Sequence, residues 1–293
     1  METQQAQDVP PKANREGRFG SDVAVRTRSA LVLGLSVLAL TGLGGWPFVA
    51  FTAVLAGLVL GEWLSVTGCR KFLIFPGDFI IATAAVVVLF AGLGAEVAAL
   101  AVGVLMVCVV LVGPDADRGV TSRIWAGFGV IYAILPAIAL QSLRGSAHDG
   151  LWALVFLFAV VWSTDIAAFF AGRAFGGPRL MAVISPKKTW SGAVGGLIGA
   201  LAAGTCVALL AHVPNVLPVI AIAAASSVMT QVGDLFESWI KRCFLVKDSG
   251  HLIPGHGGVM DRVDGLVAAA VFLALTGWSR AGLDDPASGF LNW

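Results

Sequence analysis

Long apolar runs recur through this chain so often that little room is left for a water-facing surface. They occupy roughly 29–44, 46–66, 78–94, 96–113, 124–141, 152–172, 191–212, 216–237 and 265–281, and each approaches the about 20 residues needed to cross a bilayer. A soluble domain carries about a quarter charged residues. Here 13% of 293 residues are charged and 57% are hydrophobic, with a mean hydropathy of +0.86. Inside lipid the backbone has to satisfy its own hydrogen bonds, so runs of this length span as helices. The pattern predicts an all-α, polytopic integral membrane protein with about nine transmembrane helices.

Lys and Arg test this map, because they gather on the cytoplasmic side of such proteins. With nine spans and the N-terminus inside, all of the 19 except Arg144 and Arg280 fall in inside segments. The C-terminus is then outside, and the bacterial cytoplasmic membrane is the expected location. Residues 1–28, polar and basic, read as a disordered cytoplasmic tail; 29–150 as a transmembrane scaffold of about five helices; and 151–293 as a catalytic region of about four. The net charge of +1 is segregated by side rather than spread, and no nucleic-acid partner is expected. Cys69, Cys108, Cys206 and Cys243 show no paired spacing, against a disulfide framework or thiolate zinc site. Small residues in the spans permit close helix packing, within the chain or in a homodimer.

Ionisable residues divide unevenly between the halves. Glu62, Asp78 and Glu96 fall near predicted span ends that water can reach, whereas Asp165, Asp234 and Glu237 lie within or at the ends of later spans. Charges so placed are costly and usually functional. Asp165 and Arg173 share one helical face two turns apart; a snorkelling Arg and a neighbour-satisfied Asp are the bland alternative. In Ser185-Pro-Lys187-Lys188-Thr189-Trp-Ser191-Gly192, Thr189 or Ser191 can cap a following helix, and the lysines serve either phosphate binding or orientation. Asp234, Glu237, Ser238 and Lys241 occupy one face of the eighth span.

The densest polar stretch is Ser238 to Asp264, with Lys241, Arg242, Lys247, Asp248, His251, His256, Asp261, Arg262 and Asp264 among Gly255, Gly257 and Gly258. Such a set suits a polyanion held by basic groups, backbone amides and a carboxylate-bound metal. Carboxylates from separate elements favour a hard cation such as Mg²⁺, which usually bridges phosphates. The histidines read more simply as loop hydrogen-bonding groups than as ligands. Neither a Walker-type loop nor a GxGxxG motif is present, so no soluble nucleotide-binding fold is grafted on.

The stretch Ser238-Trp-Ile-Lys241-Arg242, four residues, Lys247-Asp248, then Pro254-Gly-His256-Gly257-Gly258-Val-Met-Asp261-Arg262-Val-Asp264 resembles the hallmark of the phosphatidate cytidylyltransferases. Gly233-Asp234-Leu235, Glu237, the Asp165–Arg173 segment and Ser185-Pro-Lys187-Lys188-Thr-Trp resemble that family too, so the likeness covers roughly 160–281. Phe169 stands where the family usually has Tyr, and Ser191 where a Glu commonly follows Lys-Thr-Trp.

The resemblance implies transfer of CMP from CTP to phosphatidic acid at the cytoplasmic face, with membrane lipids as surroundings. It assigns the metal to Asp234 and Asp261, with Mg²⁺ and K⁺ as a second cation, and catalysis to these two with Lys241 and Asp248. Lys187, Lys188, Ser238, Arg242, Lys247, His256, Gly257, Gly258, Arg262, Asp264 and Asp165 are the implied substrate-binding residues. Two other classes remain open at this point. A CTP-dependent lipid kinase would move the γ-phosphoryl group to an alcohol; an ion-coupled transporter also uses intramembrane Asp, although the polar groups here cluster at one side rather than the midplane.

Overall fold

The computed structural model describes residues 15–69, 76–94, 97–98, 100–105, 119–145, 148–253, 257–283 and 285–293. Helices α1 (Arg15–Leu43), α2 (Gly45–Val66), α3 (Pro76–Leu93), α4 (Gly119–Arg144), α5 (Asp149–Phe175), α6 (Trp190–Leu210), α7 (Val216–Cys243) and α8 (Met260–Ala281) follow the apolar runs, and a short α9 (Pro286–Leu291) closes the chain. Residues 97–98 and 100–105 are helical as well. Of the nine expected spans, the fourth falls only partly within the described residues. Among the described residues, five helices are long and apolar enough to cross a membrane: 45–66, 122–144, 149–175, 190–210 and 216–243. The apolar parts of α1 and α3 are shorter, at 27–43 and 80–93.

Two features depart from expectation. Helix α1 begins at Arg15, so the second half of the expected tail is helical; no proline follows Pro11 there, and helix propagates outward from the apolar run at one hydrogen bond per residue. A hairpin of β1 (Arg179–Met181) and β2 (Ser185–Thr189) interrupts the helices. Gly176 and Gly177 end α5 with φ of 59° and 100°, values that L side chains rarely adopt. Trp190 N–H then bonds Pro178 O at 3.1 Å, closing the excursion where α6 starts. Thr189 caps α6, as its sequence predicts, accepting from Gly192 N–H at 3.1 Å.

Packing forms two adjoining cores. The first joins α5 to α9 around Phe156, Leu157, Leu154 and Phe290, all fully buried. The second joins α2, α3 and α4 around Trp63, Leu60 and Leu64, and it extends to Ile240 of α7 and Met260 of α8. Small residues set how closely the helices approach. A side chain at Gly192 or Gly196 would meet the α5 carbonyls of Ala168 and Thr164. Gly233 and Gly265 are reciprocal: a Cβ at Gly233 would strike Asp264 O, and one at Gly265 would strike the Thr230 side chain. That contact places Asp234 of α7 beside the first turn of α8.

The two ends of the bundle differ. At one, Arg144, Asp149, Arg280 and Asn292 are linked to nearby backbone and to each other. At the other lie Glu62, the hairpin, the end of α7 and the start of α8.

Candidate active site

The chain leaves α7 through Leu245, which sits in the left-handed region at φ 56°, with Val246 N–H returning to Lys241 O at 2.9 Å. This cap is usually built on glycine, and after it Ser249, Gly258 and Val259 come back against the ends of α2 and α8. Further along, Gly257 at φ 86° lets Ile253 N–H reach Gly257 O at 3.0 Å. Gly258 admits no side chain, because a Cβ would overlap Ser249 Oγ and Glu62. The paired glycines therefore shape the loop.

Asp261 organises it. Oδ2 accepts from Ser249 N–H at 3.0 Å, Ser249 O–H at 2.9 Å and Gly258 N–H at 2.9 Å. Oδ1 accepts from Lys241 Nζ at 2.6 Å, and the same ammonium meets Glu237 Oε2 at 2.6 Å. Burial opposes the charged form of Asp261, but the bonds from Lys241 and from the Gly258 and Ser249 amides outweigh it and hold the carboxyl well below its usual range. The Glu237 and Asp261 side chains are 1% and 8% exposed, so this is a buried charge cluster. Breaking such a cluster costs more than forming it contributes. Glu237 Oε1 is buried with no partner among the described residues.

Glu62 adds a participant from the N-terminal half. Its Oε1 accepts from Val259 N–H at 2.9 Å; its Oε2 accepts from Met260 N–H at 2.7 Å and shares the single Ser249 hydroxyl proton with Asp261, Oγ lying 2.9 Å from each carboxylate. It thereby caps α8, satisfying amides that a helix start otherwise leaves open. The sequence reading of Glu62 as a water-facing span end is corrected: folding puts the end of α2 against Ser249, Val259 and Met260. Of the backbone amides in that stretch, those of Gly258, Val259 and Met260 are taken by Asp261 and Glu62.

A second group centres on Asp234. Lys188 of β2 pairs with its Oδ2, and Ser238 O–H reaches Oδ1 at 3.5 Å. Asp264, whose Oδ1 accepts from Gly265 N–H at 2.8 Å, lies within electrostatic reach of Asp234, Asp165 and Lys188. Asp165 in turn senses Asp234, Lys188 and Arg262. The structure thus gathers Asp165, Lys188, Asp234, Ser238 and Asp264, and, adjoining them where Glu237 comes within electrostatic reach of Asp264, Glu62, Glu237, Lys241, Ser249 and Asp261. Lys187, Arg242, Lys247, Asp248 and Arg262 are exposed around them, Arg242 donating to Ile184 O at 3.4 Å. His256 lies outside the described residues. Ser191 donates to Gly176 O, a hairpin role that accounts for its place after Trp190. Among the described residues, no three His, Cys, Asp or Glu side chains converge as a complete metal site.

The sequence profile of the cytidylyltransferase family matches residues 24–279. The chain belongs to that family. Among cytidylyltransferases it is 43% identical over 277 residues to the phosphatidate cytidylyltransferase of Brucella suis biovar 1, covering 93% of this chain and all of the relative. It is 44% identical over 261 residues to that of Brucella abortus biovar 1, covering 88% and 94%. The phosphatidate cytidylyltransferase of Haemophilus influenzae is 39% identical over 155 residues, half of this chain and 54% of the relative. The first two alignments reach well into the N-terminal half, so family membership takes in the α2 region that carries Glu62.

Proposed function

We propose that this chain is a phosphatidate cytidylyltransferase, joining CMP from CTP to phosphatidic acid to give CDP-diacylglycerol for phospholipid biosynthesis. The observation that carries the reading is where the family signature ends up. Its carboxylates and basic groups meet at one end of a bundle of membrane-length helices, where a water-borne nucleotide and a bilayer-borne lipid can both arrive. A phosphate oxygen of phosphatidic acid attacks the α-phosphorus of CTP, the bond to the β-phosphate oxygen breaks, and pyrophosphate leaves. A phosphate monoester is largely dianionic near neutral pH, its second pKa being about 6, so no strong general base is needed. Positioning and charge neutralisation lower the barrier. Lys187, Lys188, Arg242, Lys247 and Arg262 supply the positive charge, while Asp248 and Asp264 orient basic groups or water.

The proposed cofactor is Mg²⁺, with K⁺ as a candidate second cation. The donors fit a hard ion: they are carboxylate oxygens, Asp261 Oδ1 faces the Lys241 ammonium, and Glu237 Oε1 is an orphaned oxygen in the same cluster. Asp234 and Asp261 would hold the ion, the few protein ligands being completed by substrate phosphates in the usual manner of magnesium. When bound, Mg²⁺ would neutralise charge on the substrate phosphates.

Incubating purified protein with Mg²⁺, phosphatidic acid and CTP labelled at the α- or γ-phosphorus tests the activity. The α-label is expected in lipid and the γ-label in pyrophosphate, with little turnover of UTP or dATP. A γ-label in lipid would identify a kinase instead.

We also place this end of the bundle in the cytoplasm, on the distribution of Lys and Arg. Val183, at the hairpin tip, is 92% exposed, whereas Ser249 is 6% exposed and bonded to Asp261. A Val183→Cys chain with Cys108, Cys206 and Cys243 changed to Ser is expected to resist an impermeant thiol reagent in intact cells and to react once the membrane is opened. Labelling in intact cells would reverse the orientation.

A further inference from the structure

Among the described residues, the three most exposed large apolar side chains are Leu245, Val183 and Phe175, at 94%, 92% and 81%. Each stands at or beyond a helix end: Leu245 follows α7, Val183 tops the hairpin and Phe175 is the last residue of α5. All three lie at the end of the bundle that carries the site. Arg242 donates to Ile184 O, which brings the hairpin tip to the end of α7, and Ser191 bonds Gly176 O, which ties the end of α5 to the hairpin base. Apolar side chains gathered in this way on a surface mark a contact. Leu245 also holds the left-handed region at φ 56°, a place usually given to glycine, so the turn itself does not call for its side chain.

The rim continues two apolar stripes. On α5, Ile166, Phe169 and Phe170 are exposed on the way to Phe175; on α7, Val228, Val232 and Phe236, four residues apart, are exposed on the way to Leu245. Both helices are long and apolar enough to cross a membrane, and the stripes they turn outward meet hydrocarbon. That continuity makes the bilayer, rather than a soluble protein, the neighbour of the rim. Charge limits how deep the rim goes. Val183 has Arg179 and Lys187 four residues to either side, and Leu245 has Arg242 and Lys247 close by, all exposed. Such ions do not follow an apolar tip into hydrocarbon, and apolar segments with basic flanks settle at the interface. Arg179 forms no ion pair among the described residues.

We propose that Phe175, Val183 and Leu245 rest among the head groups of the leaflet at this end of the bundle, and that Arg179 holds lipid phosphates there, gathering anionic phospholipid at the mouth of the site. The membrane contact stands on the rim alone; its use in supplying phosphatidic acid rests on the cytidylyltransferase reading.

Two measurements on the full chain test this. A Leu245→Cys chain with Cys108, Cys206 and Cys243 changed to Ser, Cys69 being buried, is labelled with a fluorophore and reconstituted in phosphatidylcholine and phosphatidylglycerol vesicles. Quenching by nitroxides on lipid head groups, and not by nitroxides at acyl-chain ends, is expected. Quenching by aqueous iodide alone would put the rim in water, quenching by no probe would put it against protein, and quenching from chain ends would put it in hydrocarbon; each result overturns the assignment. In the second, Arg179→Gln is expected to raise the KM for dioleoyl phosphatidic acid in phosphatidylcholine vesicles about fivefold, the effect of one basic residue at an anionic surface. The difference is expected to fade in high salt, with kcat, Tm and the KM for CTP unchanged. An unchanged lipid KM, or a shifted KM for CTP, would overturn the role of Arg179. Failure of wild type to make CDP-diacylglycerol would overturn the activity and leave the quenching result standing, so the two failures are distinguishable.

Discussion

Asp261→Asn is expected to lower CDP-diacylglycerol formation by at least about a hundredfold, the scale on which loss of one preorganised polar group slows an enzyme. The amide keeps the shape of the carboxylate but has only one acceptor oxygen. If that oxygen faces Ser249 and Gly258, the NH₂ group confronts the Lys241 ammonium; if it faces Lys241, the NH₂ confronts the backbone N–H groups of Ser249 and Gly258. Either orientation sets donor against donor in a buried site, a cost of about 1–3 kcal/mol per unsatisfied group. Ser249, Gly258 and the Lys241 head group all lose their anchor. Turnover and thermal stability measured on the purified variant check this. Near-normal turnover with Mg²⁺ would mean that Asp261 neither binds the ion nor organises the loop.

Much of this site is readable from the chain because its parts are local in sequence. Asp234, Glu237, Ser238 and Lys241 recur at helical spacing, and the observed pairs Asp234–Ser238 and Glu237–Lys241 are both i, i+4. The Thr189 cap is a three-residue relation, equally visible. The membrane character is carried by composition, which needs no geometry at all. What the chain does not disclose is which end of which helix meets which loop. Lys188 reaches Asp234 across 46 positions, and the approach depends on Gly233 and Gly265 clearing the way between α7 and α8. The hairpin is hidden because Ser185-Pro-Lys187-Lys188-Thr189 has no strand-like apolar alternation; it is held by pairing with Arg179–Met181 and by the Trp190–Pro178 bond. Glu62 is the clearest case. A lone acid at the end of an apolar helix looks like a solvated helix end, and its partners lie 187 to 198 residues away.

That distance makes Glu62 the sharpest test of whether the N-terminal helices are only a scaffold. Glu62→Ala removes the acceptor for Val259 N–H, Met260 N–H and one lone-pair contact of Ser249 O–H. Capping losses cost about 1 kcal/mol and buried unpaired donors about 1–3 kcal/mol, so a measurable drop in Tm is expected. The kinetic effect follows from geometry. Ser249 bridges Glu62 to Asp261, and Asp261 fixes Lys241, so slackening the first link lets the whole set drift from its productive placement. A loss of about ten- to a hundredfold in kcat is expected, the scale on which misplacement of about 1 Å acts, with a smaller change in KM for CTP because the exposed basic residues stay where they are. Glu62→Gln keeps one acceptor and is expected to lie between wild type and Glu62→Ala in both Tm and kcat. A purely structural role for Glu62 would lower Tm yet leave kcat untouched below the melting range. Loss of kcat at temperatures where the variant remains folded would show that a scaffold helix holds the catalytic loop in register.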